Sequence, residues 1–441
     1  MSQFKTDTQQ TFLSRIPVML LSFISVVFLI RLLGPEGNGI YTFTIAVLNL
    51  CMTLIGFQLE SALPMFLAKD KMNKEKIFSA TGVLTILSVL VLTILLTTFV
   101  FLIPGGRQWI IPEGQSAPFF FVVILLLYIF RKTSILIQSA LRGLFLFKAF
   151  NRFMVITQLF IAIAYGLLFF FSISTGYQVD VEMCFKYIVA VELILFMASV
   201  LILWNKKIIR FSNAFQPFLR PVFLYSAKNL LSSTGHFLNK RLDVWFVQFY
   251  RGTAVLGQYG LASQIANFVT DALVPFHQVM IPYIAGSPQG EHKAIVERTA
   301  RLNILVALSA SIMIISTSWF FIPFIFGQNF YPAVAASQIL ALGIVFVSQQ
   351  FVFASYFKAI NRLRIPAVAS WAGVLITVTL DIILIPKFGI VGAAGATTLA
   401  YATTAIYLLL KAKKLLGFTI SNILFIKVSD IKWMLSKNIE T

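Results

Sequence analysis

The sequence predicts an all-α polytopic membrane protein: twelve transmembrane helices in two parallel six-helix pseudo-repeats around a central cavity, with both termini cytoplasmic. Three observations predict it. Hydrophobic residues fill 59% of the 441 positions and charged residues only 12%, too few polar groups to cover a water-soluble domain. The apolar residues gather in runs of about 19 to 25, each enough at 1.5 Å per residue to cross roughly 30 Å of hydrocarbon. Basic residues collect in every second gap between those runs.

The runs place helices near 16–33, 40–60, 80–103, 118–140, 153–173, 183–204, 222–250, 256–284, 303–326, 333–357, 366–385 and 390–410. The first is too long and continuous for a cleaved signal sequence and is followed by no small-residue cleavage pattern, so it reads as a retained signal anchor. Cys51 and Cys184 fall in or beside apolar runs. They form no disulfide framework and no metal motif, and read as packing residues.

Net charge is +19. In a soluble protein that would suggest nucleic acid, but here the positive-inside rule accounts for it and no nucleic-acid partner is expected. About 25 of the 35 Lys and Arg residues fall on the face that holds the N-terminus, including Lys69, Lys71, Lys74, Lys76, Lys206, Lys207, Arg210, Lys358, Arg362, Arg364, Lys411, Lys413 and Lys414. The opposite face carries Arg31, Arg107, Arg251 and Lys387. Arg131, Lys132, Lys186, Lys228, Lys240 and Arg241 lie within apolar segments.

The chain repeats itself. Gly34 meets Gly252 at a shift of 218 residues, and at that shift Gly39 meets Gly257, Tyr41 meets Tyr259, Asn49 meets Asn267 and Pro64 meets Pro282. A looser match pairs Gln138–Gly143 with Ala354–Ala359. Six helices per half preserve orientation, so the halves are parallel repeats about an axis along the membrane normal. The expected organisation is a lobe over 1–217, a second over 218–414 and a basic amphipathic cytoplasmic tail over 415–441. That tail would lie on the anionic inner leaflet or form a loosely ordered end. The gaps leave no room for a nucleotide-binding module, and no phosphate-binding glycine loop occurs. His236, His277 and His292 lack metal-ligand spacing. No nucleophile–base pair is present, so neither catalysis nor a cofactor is expected.

Polar residues inside a membrane are costly and face a cavity or a partner. Lys228, Ser232, Gly235, Asn239 and Asp243 fall within a stripe about 80° wide on helix 7, with Lys240 just outside it and Arg241 nearly opposite. Ser263, Asn267, Asp271 and Gln278 share a face of helix 8. Asn49, Thr53, Gly56 and Glu60 line helix 2, and Arg131, Gln138 and Arg142 line helix 4. The simplest assembly points all four stripes into one hydrated, largely basic cleft. Arg131, Gln138, Arg142, Lys228, Asn239, Lys240, Asn49 and Asn267 are the candidate substrate-binding residues, because Arg and Lys suit phosphate. Asp243, Asp271 and Glu60 are candidates for a coupling proton or sodium ion, and Asp243 has the alternative of a structural partner for Arg241 or Lys240. Lys228 and Arg142 have the alternative of snorkelling to the cytoplasmic surface. Asp381 reads as an outer-end residue near Pro386. Gly34, Gly39, Pro64, Gly252, Gly257 and Pro282 are the hinge and close-approach positions.

RLLGPEGNGIYTF (Arg31–Phe43), NKRLDVWFVQFYRGTAVLGQYGLAS (Asn239–Ser263) and FGIVGAAGATTLAY (Phe388–Tyr401) resemble segments of polysaccharide flippases of the multidrug/oligosaccharidyl-lipid/polysaccharide exporter superfamily. The resemblance implies two lobes in a V shape and ion-coupled alternating access. It implies as substrate an undecaprenyl-pyrophosphate-linked oligosaccharide, an O-antigen or capsule repeat unit moved across a bacterial inner membrane. A polysaccharide polymerase and chain-length proteins would be partners. The lipid II flippases of the superfamily usually carry two further helices, which this sequence lacks. Two rival classes remain: a cation-coupled drug antiporter of the same superfamily, and a non-transporting scaffold of a glycan-assembly complex.

Overall fold

The computed structural model of the chain describes residues 2–70, 72–205, 212–286, 288–425 and 427. Among them the regular elements are helices, with no strand: α1 (Ser2–Leu54), α2 (Leu59–Lys69), α3 (Lys74–Thr97), α4 (Ala117–Gly143), α5 (Phe147–Thr175), α6 (Val181–Asn205), α7 (Gln216–Arg241), α8 (Asp243–Arg251), α9 (Thr253–Gly286), α10 (His292–Phe326), α11 (Ala333–Ala359), α12 (Arg364–Leu416) and α13 (Ser421–Leu424). Eight stretches among the described residues are long and apolar enough to cross a bilayer. In lipid a helix satisfies its own backbone, which is why an apolar chain of this length takes this form. Large apolar side chains such as Leu20, Ile86, Ile94, Leu167, Trp319 and Leu375 stand exposed along the spans, as a hydrocarbon solvent permits.

Two of the long stretches are kinked inside. Ile16–Leu54 has 39 residues and Arg364–Leu416 has 53. Each contains one residue off helical geometry, Gly34 (φ 64°, ψ −174°) in α1 and Gly389 (φ 58°, ψ −135°) in α12. Positive φ suits a residue without Cβ. These two glycines fall in the gaps that separate runs 1 and 2, and runs 11 and 12, in the sequence.

Two runs expected as continuous helices are interrupted. The helix expected over 40–60 breaks at residues 55–58 between α1 and α2, where Phe57 and Gln58 both have φ 52°. The helix expected over 222–250 is interrupted at Leu242, between α7 and α8. Asp243 opens α8, where an acidic side chain complements the helix dipole. Hydrophobic periodicity does not register either break, since the residues at both are part of apolar runs.

The chain forms two compact units. Unit 1 holds Met1–Phe237 and Gly252–Gly257; unit 2 holds Leu238–Arg251 and Gln258–Thr441. In unit 1, α1 packs on α5, α2 on α4, and α4 on α6. Leu63, Leu67, Ile77, Phe78 and Ala140 form one apolar cluster, and Leu59, Ala62, Leu84 and Val222 another. A Cβ on Gly143 would lie 2.6 Å from Pro64 Cα, so this glycine lets α4 meet α2 at the proline.

The repeat is visible as a reciprocal contact inside unit 1. A Cβ on Gly39 would strike the Thr253 carbonyl, and one on Gly257 would strike the Pro35 carbonyl. Those four positions are two repeat-related pairs at the 218-residue shift, so each glycine receives the other repeat's carbonyl. Asn38 Nδ2 donates to the Gly257 carbonyl at 2.6 Å. Gly34 and Gly252, also repeat-related, both take positive φ, at 64° and 82°.

In unit 2, α11 packs against α10 and α12, and α8 against α12. Met280, Val352, Phe353, Tyr356, Phe357 and Phe418 belong to its largest described cluster. Phe418 and Ile423, early in the tail, are buried there. Arg301 Nη1 donates to the Asn422 carbonyl at 2.6 Å and Lys293 Nζ to the Gly417 carbonyl at 3.0 Å. The expected basic amphipathic tail lies outside the described residues beyond residue 427, as do Lys71, Lys206, Lys207, Arg210 and the side chains of Lys69, Ser232, His277, Gln278 and Pro282. Pro282 itself is within α9.

Gly39→Leu and Gly257→Leu should each sharply lower the yield of monodisperse protein and its melting temperature in detergent, because the obstruction is backbone. Gly252→Ala meets nothing within 4 Å and should cost only the left-handed strain, about 1–2 kcal/mol.

Candidate functional site

Unit 1 closes its buried charges into pairs. Arg131 Nε donates to Glu192 Oε1 at 2.8 Å, joining α4 to α6. Tyr41 and Tyr165 lie within electrostatic reach of that guanidinium. Lys132 is fully buried, and its Nζ donates to Glu60 Oε2 at 2.6 Å, joining α4 to the first turn of α2. Arg131 and Glu60, expected to meet phosphate and a coupling ion, thus each hold an internal partner. Arg142 donates to Ser139 Oγ at 3.0 Å and stands 5.6 Å from the Phe150 ring centroid, in the last turn of α4. Gln138 and Asn49 are half-buried, and Lys228 is exposed on α7 within unit 1.

Unit 2 gathers its polar residues differently. Asn239 and Asp243 lie one turn apart across the α7–α8 interruption; Thr377 and Asp381 lie one turn apart on α12. Asn239 Oδ1 accepts from Thr377 Oγ1 at 3.1 Å. Asp243 Oδ2 accepts from Tyr259 Oη and, at 3.0 Å, from Thr397 Oγ1. Asp243 Oδ1, Asn239 Nδ2 and both carboxylate oxygens of Asp381 are buried with no hydrogen-bond partner among the described residues. Asp381 lies within electrostatic reach of Asp243. A Cβ on Gly373 would stand 2.5 Å from Asn239 Nδ2 and 2.7 Å from Thr404 Oγ1, so this glycine admits the amide.

A cavity of about 30 Å³ opens beside this group, with Lys240, Arg241, Asp243, Tyr259, Asn267 and Thr397 on its wall. That is room for a couple of waters or a bare ion and too little for a sugar. Lys240 faces Asp271 electrostatically, and Arg241 faces Asp243. Asp271 itself is exposed, one turn beyond Asn267 on α9.

Of the sequence-derived residues, the structure brings Asn239, Lys240, Asp243 and Asn267 together in unit 2, with Asp271 at their edge. Arg131, Gln138, Arg142, Lys228, Asn49 and Glu60 belong to unit 1. Two readings change. Asp381 is not an outer-end residue but fully buried beside Asp243, and Arg241 lines the same cavity as Lys240 because the helix is interrupted immediately after it. Tyr259, Thr377 and Thr397 were not singled out from sequence. The signal for Asp381 was present as Gly373, Thr377 and Asp381 at successive turns of one face of α12.

Removing one member of a buried ion pair strands the other charge, at roughly 3–5 kcal/mol. Arg131→Met should therefore lower the melting temperature strongly, and Arg131→Met with Glu192→Met should recover most of the loss. A double variant no better than the single would mean the pair is not closed as described.

The polysaccharide biosynthesis protein family matches residues 5–287, more than half of the chain, and the chain belongs to that family. A probable low-salt glycan biosynthesis flippase, Agl15 of Haloferax volcanii, is 24% identical over 191 residues, 42% of this chain and 40% of that protein. An uncharacterised membrane protein of Methanocaldococcus jannaschii, MJ1068, is 24% identical over 203 residues, 45% of this chain and 40% of its own. The chain therefore matches about two fifths of the length of these relatives. Among solved structures, the lipid II flippase MurJ in an inward closed conformation superposes with a TM-score of 0.70 at 18% identity, covering 95% of this chain and 89% of that one. An inward-facing multidrug resistance MATE family transporter of the MOP superfamily gives 0.68 at 13% identity, covering 90% and 94%. These structures share the fold.

Proposed function

We propose that this member of the polysaccharide biosynthesis protein family is a flippase for undecaprenyl-pyrophosphate-linked oligosaccharide repeat units, of O-antigen or capsule, moving them from the cytoplasmic to the periplasmic leaflet of a bacterial inner membrane. One observation carries the reading: Lys240 and Arg241 stand on a cavity wall three and two residues before Asp243, whose carboxylate and that of Asp381 have buried oxygens with no hydrogen-bond partner among the described residues. An ionised carboxylate at the middle of a membrane helix costs about 2.5–3.5 kcal/mol on insertion scales. Two adjacent ones with no ion pair among the described residues call for a proton or a hard cation such as sodium, for which carboxylate, hydroxyl and amide oxygens are suitable ligands. The two cations beside them suit a pyrophosphate, Arg bidentately.

In this reading α1 and α12 each cross the bilayer twice and the chain crosses twelve times, with both termini cytoplasmic as the basic gaps require. The lobes are 1–217 and 218–414. Lys240 and Arg241 neutralise the phosphates while the lipid tail stays in the bilayer. Occupation of the Asp243–Asp381 pair by the ion biases which side the site faces. No bond is made or broken. The relatives named for glycan and lipid II flipping support the substrate class. The acidic pair also favours a second reading, a cation-coupled drug antiporter, which the MATE likeness of fold accommodates.

Proteoliposomes with a fluorescent undecaprenyl-pyrophosphate glycan test both. Lys240→Ala with Arg241→Ala should slow flipping at least about tenfold at matched reconstitution, the loss of roughly 1.4 kcal/mol or more of binding. Unchanged flipping in that double variant overturns the phosphate assignment. Asp243→Asn and Asp381→Asn should each remove the response of flipping to a sodium or proton gradient. Gradient-driven uptake of cationic dyes with no movement of the glycan would favour the antiporter.

A further inference from the structure

The break between α1 and α2 has an internal control. Residues 55–58 correspond, at the 218-residue shift of the repeat, to residues 273–276, and these lie inside the uninterrupted helix α9. One element of the repeat thus occurs in two backbone forms in the same chain, broken in unit 1 and continuous in unit 2.

The residues at the break account for part of the difference: a Cβ on Gly56 would lie 2.3 Å from the Met52 carbonyl, and Val274 stands at that position of the second repeat. Phe57 and Gln58 are not glycines, yet both hold φ 52°. Consecutive left-handed residues with side chains are disfavoured by contact of Cβ with the backbone, and such outliers persist only where the surroundings impose them. Here the surroundings are a charge. The Lys132 side chain, fully buried, reaches into the break: a Cβ on Gly56 would lie 2.7 Å from its Nζ and 3.2 Å from its Cε. Closing residues 55–58 into a helix turn would move the segment against that ammonium. Beyond the break Lys132 Nζ meets Glu60 at 2.6 Å, in the first turn of α2. In the second repeat the position of Glu60 is Gln278, so the carboxylate half of the pair is missing where the helix is continuous. Glu60 is the reachable half, with 26% of its side chain exposed against 1% for Lys132.

We propose that the Lys132–Glu60 pair is the latch of a two-state hinge in this membrane segment. Paired, it props residues 55–58 open; released, the segment closes into the continuous helix that α9 already has. Lys132 is then a positioning residue, acting through backbone geometry and not by touching a transported molecule. The inference goes beyond the transport reading and does not depend on what the chain carries.

The test is an electron paramagnetic resonance distance across the break. The full chain, with Cys51→Ala and Cys184→Ala, carries spin labels at Leu50→Cys and Ala68→Cys in lipid nanodiscs. A continuous helix puts those positions about 27 Å apart, and the broken form brings them closer. The wild-type pair should give the shorter distance. Lys132→Met should move the population to the longer one, and the swapped pair Glu60→Lys with Lys132→Glu should bring it back. If Lys132→Met fails to fold, Glu60→Gln with Lys132→Met removes both charges at once and should also lengthen the distance. An unchanged distance in these variants, or a swapped pair that stays long, overturns the latch.

Discussion

A charge in hydrocarbon must be met by another charge, a proton or an ion, and this requirement organises the interior of the chain. The two units meet it in different ways. In unit 1, Arg131 is matched by Glu192 and Lys132 by Glu60, so basic side chains that the apolar pattern alone would send to a wet cleft are neutralised by neighbouring helices. In unit 2, Asp243 has hydroxyl partners on one oxygen only and Asp381 has none among the described residues. In one unit the two mid-span cations, Arg131 and Lys132, are matched. The other holds an unfilled demand for positive charge, with two cations, Arg241 and Lys240, two and three residues before Asp243 on the chain.

The same demand explains why the repeat diverged in some places and not in others. Where two helices cross at Gly39 and Gly257, each carbonyl occupies the space a side chain would need, and both copies keep glycine. Where charge is stored, the copies differ: Glu60 answers to Gln278. A shared scaffold with unlike charge placement lets one half serve as frame and hinge while the other holds the ion and phosphate chemistry proposed for it.

Much of this was legible in the residues. The polar stripe on helix 7 identified Asn239 and Asp243, with Lys240 just outside it, and the structure places all three on or beside one cavity. The glycines at the 218-residue shift marked a real contact. The stripes on helices 2 and 4 were also real, but Glu60 and Arg131 on them face partners inside unit 1. Helical periodicity reports which face a residue takes, and says nothing of which helix stands opposite. Asp381 reads from sequence as an outer-end residue because it sits near Pro386 and the end of an apolar run, where an acidic residue ordinarily meets water. Its burial depends on α7–α8 and α12 coming together.

By itself the sequence determined that the chain is a membrane protein, roughly where its apolar spans run, and that its first half is echoed in its second. Those properties follow from local composition and spacing, which need no knowledge of distant contacts. Only the tertiary structure decided which charges are paired, that helices break at residues 55–58 and at Leu242, and that two buried carboxylates, Asp243 and Asp381, lie within electrostatic reach of each other. Each of these is set by a side chain from another helix arriving within a few ångströms, in a medium where an unmet charge or backbone group is expensive. No one-dimensional pattern contains that arrival.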